Sequence, residues 1–166
     1  QETRIAMLLM LQTACRKDEV ISARWEEINL HNKEWIIPAS RMKAKREHWV
    51  PLSRQAIALL QDLRELVPMG RSHLFPNRVE PQRPMANRSL NAVLARLGYH
   101  EESTPHGMRA TFSTHFNKIG ANSDVIELCL AHVPADKVRA AYNRHPYQEE
   151  RRAMLQTWAD HLDLQR

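Results

Sequence analysis

The sequence predicts a mainly helical fold with one small antiparallel β-sheet, an α+β domain. Three observations carry this. Apolar residues recur at helical spacing in most segments. Two short β-branched and aromatic runs, Trp35-Ile36-Ile37-Pro38 and His48-Trp49-Val50-Pro51, bracket a basic stretch. Most glycines and prolines fall at the ends of these segments or between them, as punctuation.

Taken in order, residues 4–11 place Ile5, Leu8, Leu9 and Leu11 on or near one helical face, and a second helix is expected over 17–25. The two short runs form a hairpin or small sheet whose charged tip is Arg41 to Arg46. Ser53 is a helix N-cap, and Ile57, Leu60, Leu63 and Leu66 form the stripe of the helix behind it, which ends at Pro68 and Gly70. Residues 68–86 hold four prolines and no period, an irregular surface stretch. A helix over 87–97 stops at Gly98. Thr104 caps the next helix, with Pro105 in its first turn, and Gly120 follows its end near Ile119. A helix over 124–131 is closed by Pro134, and a short one from Ala135 leads to Tyr142. After Pro146 an amphipathic tail, 148–162, carries Leu155, Trp158 and Leu162.

At 166 residues the chain suits one domain with a core of its own, and its hydrophobic content of 43% is ordinary for a globular protein. No apolar run reaches the roughly 18 residues of a membrane span. Met7 to Leu11 is too short for a signal peptide and lacks a cleavage pattern. The net charge of +5 and pI near 9.6 suit a polyanionic partner. Cys15 and Cys129 form no C-x-x-C pair and read as reduced core thiols of a cytosolic protein. Cys129 and His132 have a zinc-compatible gap, but no second compact pair among His106 and His115 completes a site, so no metal is expected. The first residue, Gln1, falls inside a helical pattern, as expected of a domain from a longer polypeptide.

A scattered set of phosphate-seeking side chains stands out: Arg16 in Ala14-Cys15-Arg16-Lys17-Asp18-Glu19, Lys43 in Arg41-Met42-Lys43, His106 and Arg109 in Pro105-His106-Gly107-Met108-Arg109, His132 in Leu130-Ala131-His132, and Tyr142 in Ala140-Ala141-Tyr142-Asn143-Arg144. Two arginines, a lysine, two histidines and a phenol are the groups that metal-free phosphoryl transfer to a tyrosine needs. In order and spacing the set resembles the catalytic domain of the tyrosine recombinases, the phage-integrase family. The runs Arg24-Trp25-Glu26-Glu27-Ile28, Arg41-Met42-Lys43 and Val50-Pro51-Leu52-Ser53-Arg54-Gln55-Ala56 resemble its satellite-phage and genomic-island branch.

That resemblance implies roles. Arg16 and Arg109 clamp the non-bridging oxygens of a DNA phosphodiester, to which a guanidinium offers a two-pronged donor. Tyr142 is the nucleophile; ionising a phenol at neutral pH costs about 4 kcal/mol, which neighbouring cations offset. Tyr99 and Tyr147 do not occupy the family position. Lys43 is the general acid for the 5′ oxygen, with Lys45 its competitor. His106 and His132 bond the phosphate and help move the tyrosine proton. Glu19 matches an acidic position that orients active-site groups, or is an ordinary exposed helix carboxylate. Arg41, Lys45, Arg46, His48 and Arg54 are candidate DNA-backbone contacts, whereas Arg151 and Arg152 read as a solvated face. Ala14-Cys15 stands where many relatives have a glycine before the arginine.

The resemblance further implies a single C-terminal catalytic domain over residues 1–166, without the arm-binding and core-binding domains that complete the clamp on DNA, and hence weak activity in isolation. No cofactor is implied. The partners implied are double-stranded DNA at attachment sites and other integrase protomers in a tetrameric synapse, in the bacterial cytoplasm at the nucleoid. The tail helix packs in cis or in trans. Two alternatives stand beside integration: a type IB topoisomerase-like strand transferase and a non-catalytic DNA-binding fragment.

Overall fold

The computed structural model describes residues 1–67, 70–99, 104, 106–132 and 146–165. Its elements are α1 (Glu2–Thr13), α2 (Lys17–Ile21), β1 (Ile28–Asn29), β2 (Glu34–Ile37), β3 (His48–Pro51), α3 (Arg54–Leu66), α4 (Ser89–Arg96), α5 (Gly107–Lys118), α6 (Ser123–Cys129) and α7 (Gln148–Asp163). Mainly helical with a three-stranded antiparallel sheet, this is the expected class. The short helix expected from Ala135 to Tyr142 lies outside the described residues, as does Pro134.

α1 is the hub. Ile5, Leu9 and Met10 are almost wholly buried, and the helix packs against α2, α3, α4 and α7. Leu8 and Leu11, expected on the buried face, are only half-buried, because the core surrounds the helix on the side of Ala6, Met10 and Thr13. α2 ends at Ile21 instead of running to Trp25. The Ser22 hydroxyl turns back onto the Asp18 carbonyl, and Trp25–Glu27 forms a separate 3-10 turn.

The sheet has order β1-β2-β3, with Trp35 opposite Val50 and Ile37 opposite His48. Alternation buries Trp35 and Ile37 and leaves Ile36 outside. The two-residue β1 carries too little pattern to be legible alone; its register comes from β2. Beneath the sheet, the buried carboxylate of Glu27 accepts from Trp35 Nε1 (3.0 Å) and from Arg41 Nε and Nη2 (2.6 and 2.7 Å). Arg41 also reaches the Ser22 hydroxyl and the Glu19 carbonyl. Arg41, expected at the DNA backbone, is therefore corrected to an internal strut: its donors are already committed to partners inside the fold.

Ser53 caps α3, its hydroxyl accepting from Ala56 N at 3.1 Å. Leu60 and Leu63 are fully buried but Leu66 is 40% exposed. A stripe spaced strictly by three drifts around a helix of 3.6 residues per turn, so its far end leaves the core. Thr104 Oγ1 accepts from Gly107 N, and Gly98 and Gly120 take the left-handed conformation after α4 and α5. The tail helix α7 packs on α1, α3, α6 and β3 of its own chain. Trp158 sits against Phe112 and Phe116 and donates to the Leu11 carbonyl at 2.7 Å.

Both thiols are buried and free. Burial pushes Cys15 up to about 12 and Cys129 to about 11, so neither forms an appreciable thiolate at pH 8. Disulfide-exchange reagents are expected to leave the native chain unlabelled at pH 8 and to titrate two thiols once it is unfolded. Glu27→Ala, which strands Arg41 and the Trp35 indole, is expected to cost about 3 kcal/mol in denaturant unfolding.

Candidate active site

Arg16 is the N-cap of α2. Its backbone N–H donates to Glu19 Oε2 (2.7 Å) and its Nη1 to Glu19 Oε1 (2.9 Å). Glu19 is only 4% exposed, so it is not a surface carboxylate; both its oxygens hold one arginine. The Arg16 side chain keeps 31% exposure.

Arg109, in the first turn of α5, is 4% exposed. Its Nη1 donates to the Ala14 carbonyl, and its Nη2 to the Leu130 carbonyl (2.6 Å) and toward His132 Nε2 (3.3 Å). Burial, then repulsion by Arg16, lowers its pKa, and it remains a cation. Arg16, His106 and Arg109 line one cleft of about 320 Å³, together with Lys17, Asp18, Asn91 and Thr104.

His132 follows a left-handed turn at Ala131, and its backbone N–H donates to the Glu127 carbonyl at 3.0 Å. This doubles the chain back so that Glu127 Oε2 lies 2.8 Å from His132 Nδ1. The carboxylate favours the tautomer with the proton on Nδ1 and leaves Nε2 facing Arg109. Sequence reasoning missed Glu127. The available signal was its position one helix-end turn before His132.

Four of the sequence-derived residues are thus gathered: Arg16, His106 and Arg109 around one cleft, and His132 against Arg109. Lys43 is exposed in the loop between β2 and β3, and its neighbours Met42, Ala44 and Arg46 line a second cleft of about 130 Å³ with His48, His132 and Arg151. Lys45 and Arg46 are exposed beside it. Arg54 is exposed and pairs with Asp160 at 3.2 Å. Tyr142 lies outside the described residues.

Two expectations are corrected. His48 is 5% exposed, because strand alternation turns it inward with Val50. Burial, then Arg151, Arg109 and Arg16, push its pKa down to about 3, so the ring is neutral and interior, not a backbone contact. Arg151, expected on a solvated face, is 6% exposed: it donates to the Trp49 carbonyl and stacks on the Trp49 ring at 4.9 Å. Among the described residues no three His, Cys, Asp or Glu side chains converge as for a metal, and no helix is long and apolar enough to cross a membrane.

Comparison with known proteins follows the same direction. The Phage integrase family matches residues 1–149. Prophage integrase IntA of Escherichia coli (strain K12) is 46% identical over 158 residues, covering 95% of this chain and 38% of that protein. The integrase of Enterobacteria phage P4 is 37% identical over 180 residues, covering 99% and 41%. The chain thus spans well under half the length of these relatives. Among solved structures, the integrase from mycobacterium phage Brujita aligns with TM-score 0.70 at 15% identity, covering 94% of this chain and 51% of that one. The Tn1549 transposon integrase in complex with circular intermediate DNA aligns with TM-score 0.62 at 18% identity, covering 92% and 57%. At such identities the likeness is one of fold, and the fold is that of tyrosine recombinase catalytic domains. Family match and fold agree with the site: the chain belongs to the phage integrase family.

Proposed function

We propose that this chain is the catalytic domain of a site-specific DNA recombinase, an integrase that cuts and rejoins strands through a 3′-phosphotyrosine. The observation that carries the reading is the shared cleft: two guanidinium groups from separate helices, Arg16 and Arg109, open onto one basin with His106, and His132 is bonded to Arg109.

Arg16 and Arg109 bind the two non-bridging oxygens and stabilise the charge that grows on them in the pentavalent transition state. The Tyr142 oxygen forms a bond to phosphorus as the bond to the 5′ oxygen breaks. The phenol proton passes to the histidine pair, and Lys43 gives a proton to the departing 5′ oxygen. The energy of the broken bond is kept in the phosphotyrosine, so rejoining by a 5′ hydroxyl needs no nucleotide. Lys45, Arg46 and Arg54 are left as the exposed cations for the DNA backbone. The partners proposed are duplex DNA at attachment sites and further protomers in a tetrameric synapse, in the bacterial cytoplasm. As a single C-terminal domain, residues 1–166 require the arm-binding and core-binding parts for efficient recombination.

A nicked suicide duplex carrying the attachment site tests the reading in the full-length protein. The parent is expected to form a covalent protein–DNA adduct and Tyr142→Phe none; an unchanged adduct in that variant refutes the assignment. Lys43→Ala is expected to slow cleavage about a hundredfold or more, more than Lys45→Ala does, and a bridging 5′-phosphorothioate is expected to restore it. Glu19→Gln, which removes the charged partner of Arg16, is expected to lower the cleavage rate about tenfold with the fold intact by circular dichroism.

A further inference from the structure

Arg151 is a physical anomaly. It is 94% buried by its 6% exposure, yet among the described residues no carboxylate pairs with it. Its contacts are neutral: the Trp49 carbonyl, the Trp49 ring and the Cys129 thiol. Among the described residues its Nε–H has no partner. A buried guanidinium without a counter-ion is costly, and a buried donor left unpaired adds to that cost.

The residue also lines the second cleft, about 130 Å³, room for an anion the size of a few waters. Arg46 and His132 line the same cleft, and so does His48, whose Nε2 is likewise buried and unpartnered. Among the described residues that line the cleft Glu47 is the one acid, and it is exposed. Arg151 is held rigidly, since Trp49 fixes it by both ring and carbonyl while Arg152 stacks on that indole at 5.0 Å. His132 borders this cleft and also bonds Arg109, so the two basins adjoin. The buried His48 ring is held uncharged by burial first and then by Arg151, Arg109 and Arg16.

We propose that the cleft between β3, the β2–β3 loop and α7 is a second phosphate site, in which Arg151 and Arg46 hold a tetrahedral oxyanion beside the Arg16–Arg109 clamp. Arg151 supplies a fixed buried donor and Arg46 a mobile exposed one. The oxyanion is either a DNA backbone phosphate near the one in the main cleft or free phosphate. The first source rests on the strand-transfer reading; the second does not.

The four indole N–H signals of the isotope-labelled chain report the site, because Trp49 lies directly under Arg151. On titration with inorganic phosphate the Trp49 signal is expected to shift saturably while those of Trp35 and Trp158 stay still. Arg151→Gln is expected to weaken that response about tenfold or more, and Arg16→Gln to leave it in place, which separates this site from the main clamp. In parallel, duplex DNA binding is measured against salt concentration. A log–log slope shallower by about 0.9 in Arg151→Gln assigns the site to a DNA phosphate. An unchanged slope with the phosphate response intact in the parent assigns it to free phosphate. A Trp49 signal that does not move in the parent, or moves without saturation, overturns the proposal whether or not Arg151→Gln folds.

Discussion

The site is organised by the way one buried charge is met. Arg109 lies in the interior, and its guanidinium donates to the carbonyls of Ala14 and Leu130. These are the C-cap residues of α1 and α6, where helical carbonyls lack intrahelical partners and carry the negative end of the helix dipole. The charge is thus held by two helix ends instead of a carboxylate, which keeps the guanidinium in place without neutralising it. The guanidinium keeps its full formal charge beside the cleft that it lines. The same contacts tie the ends of α1 and α6 to the start of α5, so folding and preorganisation of the site are one event.

Left-handed alanines follow from this arrangement. Ala14 (φ 51) and Ala131 (φ 50) both adopt a conformation that L-residues disfavour by about 1–2 kcal/mol. Each follows or forms the end of a helix whose carbonyl Arg109 takes, and each precedes a site residue, Arg16 after Ala14 and Cys15, His132 after Ala131. A glycine would meet the same geometry without strain. Here it is met by an alanine that is 2% exposed and packed in the core. Two of the left-handed non-glycine residues among those described thus stand where site residues are presented.

Carboxylates are used as orienting groups, each in a different way. Glu19 spans the backbone and side chain of Arg16 and fixes its departure from the α2 N-terminus. Glu127 sets the tautomer of His132. Glu27 is given over to Arg41 and Trp35, a structural pair that props the sheet beside the site. Among the described residues Arg151 has no such acid, and that difference sets it apart from Arg16 and Arg41.

Much was legible in the sequence because it rests on local rules. Ser53, Thr104, Gly98 and Gly120 mark helix ends by their own hydrogen bonds and conformations, and the runs from Trp35 and from His48 mark two strands by their β-branched and aromatic residues. A phosphate-seeking set was picked out through residue types and spacing, and the fold brings Arg16, His106, Arg109 and His132 of that set together. Which cations are free was not. Arg41, His48 and Arg151 look like surface groups on the page, and each is turned inward by partners distant in sequence: Glu27, the core face of β3, and Trp49. Glu127 was missed for a related reason, since its role depends on a left-handed turn that brings it back onto His132. A side chain's chemistry is written in its type, but its charge state and its availability are set by burial and by neighbours that only the tertiary structure brings together.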